Sequence, residues 1–388
     1  MSAERDFDWF SLARQPQEPP SKDGATLAGE DLKHWKKQFS PLLRFLRRKR
    51  VVVALSGGGM AMSCHVSVLR VLELLGVPVA AIYGTSAGAV IGGLRAAGLT
   101  VAQLEEVMLD ITHPDELFGF AARHPAMRLV AGEVIRAFAG RSFDRAGVYD
   151  STRLGEYLSN LLQRYAGGAP KFSDLAIPFS CVAFDIGTGR PEPQRREKTT
   201  KCVFCRETSP DLSLADAIGA SMAIPGTLPP KKIGSRFYID GATVEHLPIA
   251  TAFHDWQSAR RLGRRRTAVI AVDLGYGGNA PREEAVSHPM SLVLYSNSIQ
   301  SRAITDYNLL HCHRPRRGFS VILLRPRTIG VGLCDIEKIP SVMKTAYEET
   351  LRQLSGSGFL DLTAEHTRRA TAFLGLGDPG SPDDPAQA

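Results

Sequence analysis

The chain has 388 residues, of which 44% are hydrophobic and 22% charged, so it can bury the core of one large domain and is neither a small disulfide scaffold nor a wholly disordered polypeptide. Its net charge of +7 is moderate and comes with no nucleic-acid reader motif, so nucleic acid is not an expected partner. Its six cysteines come without a secretory signal pattern in Met1–Phe10, which predicts a reducing compartment, the cytoplasm.

The N-terminal part of the chain is polar and ends in a basic stretch. We predict a segment over residues 1–50, a main domain over 51–360 and a C-terminal tail over 361–388, of which residues 375–388 are rich in Gly, Pro and Asp. Between Lys33 and Arg50, basic residues surround apolar and aromatic ones. This pattern fits peripheral contact with an anionic membrane, and it fits equally well a solvated flank that packs its aromatic residues on the domain.

A strand and a glycine loop are predicted at the start of the main domain. Val51–Leu55 is a β-branched run typical of a strand covered on both faces, and Ser56–Gly59 follows it directly. Apolar residues then recur at helical spacing from Val68 to Leu75. Amides at a helix N-terminus suit a phosphate or a developing oxyanion. Because the loop lacks the P-loop ending and the Gly-x-Gly-x-x-Gly fingerprint, oxyanion binding is the better interpretation.

The next predicted element is a strand, a sharp turn and a helix. Val79–Tyr83 forms the strand, Gly84-Thr85-Ser86-Ala87-Gly88 the turn, and Ala87–Ala97 the helix. A serine flanked in this way is presented as a nucleophile. A membrane span over Val77–Leu94, which carries no charge, is the alternative, but four glycines and a proline fit a buried turn better.

Later elements alternate between helix and strand. A capping box at Thr100 and Gln103 predicts a helix. Further helices are predicted over Leu154–Tyr165 and from Pro340 to Leu354, and strands over Pro178–Phe184, Thr267–Leu274 and Phe319–Leu324. The alternation predicts an α/β fold of three layers, α/β/α, with a central, mainly parallel sheet. Ligands in such folds bind beyond the carboxyl ends of the strands.

A nucleophilic serine requires a base, and an aspartate is the best candidate. Arg236–Asp240 reads as a short strand that delivers Asp240 into a tight turn with Gly241 and Ala242. No histidine stands in the setting that a Ser-Asp-His order would require. A carboxylate is a weak base, so its site would have to be dry enough to raise its pKa.

The cysteines raise a metal site as an alternative. Cys202 and Cys205 have metal-ligand spacing, and His311-Cys312-His313 offers further ligands. No second Cys-x-x-Cys completes a zinc set, so ordinary reduced thiols are the preferred interpretation and no metal or other cofactor is expected.

These ordered pieces resemble the patatin-like phospholipases and acyl hydrolases over about residues 51–250. The family pattern is a glycine-rich loop, Gly-x-Ser-x-Gly and then Asp-Gly-Gly or Asp-Gly-Ala, as at Ser56–Gly59, Gly84–Gly88 and Asp240–Ala242. Lesser similarities include His65, Phe184-Asp185 and the stretch Ala217–Pro225. The resemblance implies that Ser86 is the nucleophile, that Asp240 is the base, and that the amides of Gly57, Gly58 and Gly59 form the oxyanion hole.

The sequence departs from the family pattern at three positions. Ala61 and Met62 stand where members commonly carry Arg or Lys and then Gly, and His246 stands where an asparagine is frequent. The first two departures bear on substrate choice and on activity. A loop histidine is more often structural than catalytic, so His246 receives no catalytic role.

The resulting expectation is a serine acyl hydrolase with a Ser-Asp dyad that cleaves carboxylic esters of phospholipids, lysophospholipids or related lipids. Two alternatives stay open. One is a non-catalytic lipid-binding or membrane-associated scaffold on the same fold, suggested by residues 61 and 62 and by the basic flank. The other is a thioesterase or peptidase that uses the same site.

Overall fold

The computed structural model describes residues 37–111, 119–120, 149–188, 200–258, 266–275, 289–314, 317–326, 336–356 and 358–359. The predicted tail over 361–388 and residues 1–36 of the N-terminal segment lie outside these described residues.

The described strands form two sheets. Their bounds are β1 Arg50–Leu55, β2 Ala81–Thr85, β3 Gly119–Phe120, β4 Tyr149–Asp150, β5 Phe179–Gly187, β6 Thr200–Phe204, β7 Lys231–Ile233, β8 Arg236–Asp240, β9 Thr267–Val272 and β10 Phe319–Leu324. The main sheet has the order β10-β9-β1-β2-β5-β8-β7, with β6 also paired to β5, while β3 and β4 form a small antiparallel pair. The pairs from β10 to β5 are parallel, and β6 and β8 are antiparallel to β5.

The helices alternate with the strands along most of the chain. Their bounds are α1 Ser40–Leu46, α2 Ser63–Leu74, α3 Ala87–Ala96, α4 Val101–Asp110, α5 Ser151–Ala166, α6 Leu214–Ser221, α7 Ala242–Glu245, α8 Ile249–Ser258, α9 Pro289–Cys312 and α10 Ile339–Leu354. A 3-10 turn at Gly59–Met62 precedes α2. The Thr100–Gln103 capping box that begins α4 is present with both of its hydrogen bonds, as predicted.

Two apolar cores lie on opposite faces of the main sheet. Along β1, Val51, Val53 and Leu55 belong to the larger core, which α2, α3, α4, α5, α6 and α10 cover. The alternate residues Val52 and Ala54 belong to the smaller core, which α8 and α9 cover. Because side chains alternate across a strand, this division places β1 in the middle of three layers and confirms the predicted α/β/α fold with a mainly parallel sheet.

The apolar side chains of the basic N-terminal stretch face the domain. Phe39, Leu42 and Leu46 are buried in the larger core, and the Phe45 ring meets that of Phe359 at a centroid distance of 5.6 Å. The basic side chains of Arg44, Arg47, Arg48 and Arg50 are exposed. For residues 37–50 the structure therefore shows a flank that packs on the domain and leaves its positive charge toward solvent.

The uncharged stretch Val77–Leu94 contains β2, the sharp turn and part of α3, and so is not one continuous helix. Within the described ranges, no helix combines the length and the apolar character needed to cross a bilayer.

Strand β5 brings the ends of β2 and β8 together. Thr85, at the end of β2, pairs with Val182, and Asp240, at the end of β8, pairs with the next residue, Ala183. Both strands use the same edge of β5, because β6 occupies the other edge from Cys181 to Asp185. Since β2 is parallel and β8 antiparallel to β5, their carboxyl ends meet head to head.

Candidate active site

The residues Gly84–Gly88 form a tight elbow between β2 and α3. Ser86 has φ 53° and ψ −119°, a left-handed conformation that a residue with a β-carbon rarely adopts. Gly88 permits the elbow to pass close to β1, because an added β-carbon would lie 2.2 Å from the Leu55 carbonyl oxygen. Ser86 is therefore not part of the helix, and its side chain projects from the turn that precedes α3.

The Ser86 hydroxyl meets the Asp240 carboxylate. Ser86 Oγ donates a hydrogen bond of 2.6 Å to Asp240 Oδ2, and the two residues are 4% and 1% exposed. The other oxygen, Asp240 Oδ1, accepts the amide of Ala242 at 2.7 Å. At Gly241 an added β-carbon would lie 2.2 Å from the Val182 carbonyl oxygen, so the turn after Asp240 fits against β5 only with glycine there. The carboxylate is thus held from both sides.

Burial changes the acid strength of Asp240. Removal from water raises the pKa of its carboxyl from 3.8 to about 7, although the hydrogen bonds from Ser86 and the Ala242 amide oppose the rise. A carboxylate with this pKa is half ionised near neutral pH and is a far better proton acceptor than an exposed aspartate.

The glycine loop, Ser56–Gly59, lies beside the elbow. The Gly57 amide donates to the carbonyl of His246 at 3.2 Å, so this predicted oxyanion donor already has a partner. The amides of Gly58 and Gly59 donate to no group within the described residues, and Gly59 begins the 3-10 turn, where leading amides are left without an internal partner.

The Ser56 carbonyl joins the glycine loop to the elbow. It accepts the amide of Gly88 at 3.0 Å and the ring Nε2–H of His65 at 2.8 Å. Burial lowers the pKa of His65 to about 4, so this ring is neutral and Nε2 carries its proton. On the other side of the loop, Ser56 Oγ accepts the Leu274 amide at 2.9 Å. The loop is therefore fixed relative to Ser86.

Ser221 is a residue of the site that sequence reasoning missed. Its hydroxyl accepts the amide of Ser86 at 2.8 Å and donates to the Val182 carbonyl at 2.6 Å. It thereby ties the strained elbow to the residue of β5 that pairs with Thr85. The sequence offers one signal for it, a single hydroxyl within the apolar run Ala217–Pro225.

A second polar cluster supports the glycine loop from the side of β9 and β10. An added β-carbon on Gly57 would lie 3.0 Å from His246 Nδ1, so the ring packs directly on the loop. His246 Nε2 lies 3.8 Å from Asp273 Oδ1, and Arg325 donates to Asp273 at 2.7–2.8 Å. Burial favours a raised pKa for Asp273, but the charge and hydrogen bonds of Arg325, together with the hydrogen bond from the Gly275 amide, outweigh it and hold this pKa below its usual value. Burial lowers the pKa of His246, so it is a neutral packing partner at pH 7.

The cysteine motif does not assemble a metal site within the part of the chain that the structure describes. Cys202 and Cys205 are free thiols on and after β6, and Cys312 is a buried thiol at the end of α9. No group of three His, Cys, Asp or Glu side chains in the described ranges is placed to hold a metal ion.

The fold and the paired side chains define an α/β protein with a serine elbow and a buried carboxylate at the carboxyl end of its parallel strands. The patatin-like phospholipase family model matches residues 53–253, about half of the chain. This chain belongs to the patatin-like phospholipase family.

Individual relatives are similar at low identity. An uncharacterized NTE family protein of Mycobacterium tuberculosis is 29% identical over 201 residues, which cover 52% of this chain and 45% of the relative. A lysophospholipase of Neurospora crassa is 24% identical over 361 residues, which cover 85% of this chain and 20% of the relative. The chain thus spans about half or less of the length of these relatives. Among solved structures, VipD from Legionella pneumophila aligns with a TM-score of 0.39 and 15% identity, covering 79% of this chain and 67% of VipD.

Proposed function

We propose that this protein is a serine hydrolase that cleaves carboxylic esters of phospholipids, lysophospholipids or related lipids. The observation that carries the proposal is the buried 2.6 Å hydrogen bond from Ser86 Oγ to Asp240 Oδ2 beside a loop with two available amides. Family membership and the similarity to a protein named a lysophospholipase support a lipid ester as the substrate.

In the first stage the Ser86 proton moves to Asp240 as Oγ attacks the acyl carbonyl carbon. The amides of Gly58 and Gly59 stabilise the negative charge that forms on the carbonyl oxygen, while Gly57 anchors the loop through its bond to His246. The ester C–O bond then breaks, Asp240 returns the proton to the departing alcohol, and an acyl-enzyme remains.

In the second stage water releases the acyl group. Asp240 accepts a proton from water, whose oxygen attacks the acyl carbon. The bond to Ser86 Oγ breaks and the proton on Asp240 returns to that oxygen. Protons balance over the cycle with Asp240 as the single carrier, and the scheme requires neither a metal nor an organic cofactor. The pKa of about 7 suits this role, because Asp240 must both accept and return a proton.

Peripheral contact with an anionic membrane is part of the proposal. The exposed Arg44, Arg47 and Arg48 lie on one short segment, and each basic residue near an anionic surface contributes about 1 kcal/mol of attraction. We expect the full chain to co-sediment with phosphatidylserine vesicles at low salt, and we expect the triple change of these arginines to glutamate to reduce the bound fraction.

Covalent labelling tests the hydrolase proposal. A fluorophosphonate probe should modify Ser86, as located by peptide mass spectrometry, and should leave Ser86→Ala unlabelled. Ser67→Ala is the matched control, since Ser67 is also buried and bonded to a carbonyl, at 2.8 Å from Met343 O, but lies in α2 away from the elbow. A folded wild-type protein that takes no label at any pH would favour the scaffold alternative.

A panel of lipids separates the remaining alternatives. Released fatty acid measured by mass spectrometry from phospholipids and lysophospholipids supports the proposal. Turnover of thioesters or peptides without turnover of any oxygen ester would contradict it.

A further inference from the structure

A single turn of helix, α7, follows the base and leads to contacts with the two other parts of the candidate site. The Glu245 carbonyl, at the end of α7, accepts the Thr85 hydroxyl of the elbow at 2.9 Å. The next carbonyl along the chain, that of His246, accepts the Gly57 amide at 3.2 Å. Since α7 begins two residues after Asp240, one short segment connects the base, the elbow and the glycine loop.

The Glu245 side chain supports this short helix from outside. The four residues of α7 are too few to form a stable helix alone, because nucleating the first turn is unfavourable. Glu245 is 1% exposed, and its Oε1 accepts the Thr251 amide at 2.9 Å while its Oε2 accepts the Thr251 hydroxyl at 2.6 Å. Lys201 Nζ donates to the same Oε2 at 3.0 Å and to Thr251 Oγ1 at 3.3 Å. Both carboxylate oxygens thus have partners, as a buried charge requires.

The cation of this cluster comes from the central sheet. Lys201 lies on β6 and pairs with Phe184 of β5, two residues beyond Val182, which pairs with Thr85. Within the described ranges, Lys201 supplies the single ion pair of Glu245. The contacts therefore close a ring, which runs from β5 through Lys201 and Glu245 to Thr85 and back to β5. Because the ring is closed, the ion pair bears on where the elbow lies.

We infer that Glu245 and Lys201 are positioning residues for the reaction, because their ion pair fixes the elbow and the glycine loop relative to each other. Both act through the backbone carbonyls of Glu245 and His246, and neither makes or breaks a bond of the substrate. Holding reacting groups at the right separation contributes strongly to rate, and a misplacement of about 1 Å costs about 10²-fold. The inference rests on the proposed function, since the step it serves is the attack of Ser86 on an acyl carbonyl.

Removing the cation is the first test. Lys201→Met leaves the buried Glu245 carboxylate without its counter-charge, so α7 has to shift. We expect kcat on a lipid ester to fall about tenfold or more while KM changes by less than about threefold, because the separation of elbow and loop matters mainly in the transition state. Lys201→Arg keeps a cation on this half-buried position and should restore most of kcat. An unchanged kcat in a folded Lys201→Met protein would overturn the inference.

A matched ion pair elsewhere separates positioning from general stability. Glu105 is also buried, at 3% exposed, and is paired with Arg70, but this pair connects α4 to α2. Among the described residues, neither side chain bonds to the elbow or the glycine loop. Arg70→Met should therefore lower Tm, as Lys201→Met does, and leave kcat at the wild-type level. An equal loss of kcat in both variants would mean that lower stability causes it, and the inference would fail.

A double-variant cycle tests whether the ion pair acts through the elbow. Thr85→Val removes the hydroxyl that the Glu245 carbonyl accepts and keeps the shape of the side chain. Because the two changes weaken the same link, kcat of the double variant with Lys201→Met should exceed the value expected from multiplying the single losses, by about threefold or more. Losses that multiply fully would show that the ion pair and the Thr85 bond act independently, which contradicts the inference.

Hydrogen exchange separates failure of this inference from failure of the hydrolase proposal. Amide exchange in peptides that cover residues 56–59 and 84–88, followed by mass spectrometry, should be about tenfold faster in Lys201→Met than in the wild type and unchanged in Arg70→Met. That result in a protein that hydrolyses no ester supports the positioning contacts and contradicts the hydrolase proposal. An active wild type, with exchange and kcat both unchanged in Lys201→Met, supports the hydrolase proposal and contradicts the inference.

Discussion

The serine side and the aspartate side of the site are built in different ways. Ser86 is placed by local structure: β2 ends at Thr85, α3 begins at Ala87, and the elbow lies between them. Asp240 lies 154 residues further along the chain, at the end of a strand that is antiparallel to β5. The comparison teaches that a short motif can present a hydroxyl, whereas the meeting of hydroxyl and acid depends on the register with which both strands pair to β5.

The largest expected effect comes from removing either reacting group. Ser86→Ala should lower kcat/KM for a lipid ester by about 10⁴-fold or more, and Asp240→Asn by about 10²–10⁴-fold, because the first loses the nucleophile and the second its base. Steady-state kinetics with Ser67→Ala as the control measures both. Activity near the wild-type level in a folded Ser86→Ala protein would refute the assignment.

The buried acid also links stability to pH. The folded-state pKa of Asp240, about 7, lies above its ordinary value of 3.8, so the folded protein keeps a proton that the unfolded chain releases. Below about pH 4, protonated Asp240 therefore makes its full contribution to the free energy of unfolding. This free energy falls by up to about 1.4 kcal/mol per pH unit as the pH rises toward 7. Asp240→Asn removes this dependence.

Thermal unfolding across that window measures the linkage. The Tm of Asp240→Asn relative to the wild type should increase from pH 4 to about 7 and then level off. A Tm difference that stays constant, or that shrinks as pH rises, would contradict the raised pKa.

The turn on the aspartate side has no space for a β-carbon. Gly241→Ala would place one 2.2 Å from the Val182 carbonyl oxygen, so either β5 or the turn must shift, at a cost of about 1–3 kcal/mol or more. We expect a lower Tm and a large loss of kcat.

Gly155→Ala is the control for this prediction, because an added β-carbon at Gly155 meets nothing within 4 Å and the residue lies within α5. It should raise stability by about 0.5–1 kcal/mol. If Gly241→Ala and Gly155→Ala had the same effects on Tm and kcat, the close approach of Gly241 to the Val182 carbonyl would not be what holds the turn in place.

The smallest effect is expected at Ser221, which connects the two sides. Ser221→Ala leaves the buried Ser86 amide without its acceptor, at a cost of about 1–3 kcal/mol, and should slow fluorophosphonate labelling of Ser86 about tenfold. Ser221→Thr, which keeps a hydroxyl, should recover part of the rate. Ser67→Ala should lower stability by a similar amount without slowing labelling, and equal slowing in both would show that Ser221 acts through general stability alone.

Much of the fold was predictable from strong local patterns in the sequence. The continuous apolar run of β1 and the capping box of α4 predict their elements within a residue. The strand before the elbow was predicted as Val79–Tyr83 and lies at Ala81–Thr85, since the glycine and threonine of the motif pair with β5 as strand residues. The short strand β6 is not among the predicted elements: Thr200, Val203 and Phe204 favour a strand, but the run is only five residues long and shows no alternation of polar and apolar residues.

The site was predictable by type more than by geometry. The sequence places Ser86, Asp240 and the glycine loop at strand ends, which is where the structure has them. It gives no indication that β8 is antiparallel to β5 or that the Gly57 amide bonds to His246, because both depend on contacts between residues far apart in the chain.

The account depends on Asp240 as the base for Ser86, and the pH dependence of labelling tests this most directly. The rate constant for fluorophosphonate labelling of Ser86 should rise with pH in the wild type and level off above about 7, where Asp240 is ionised. In Asp240→Asn the same rate constant should be reduced by about 10²-fold or more, and it should be independent of pH over this range. A folded Asp240→Asn protein that labels at the wild-type rate with the wild-type pH profile would contradict the central claim.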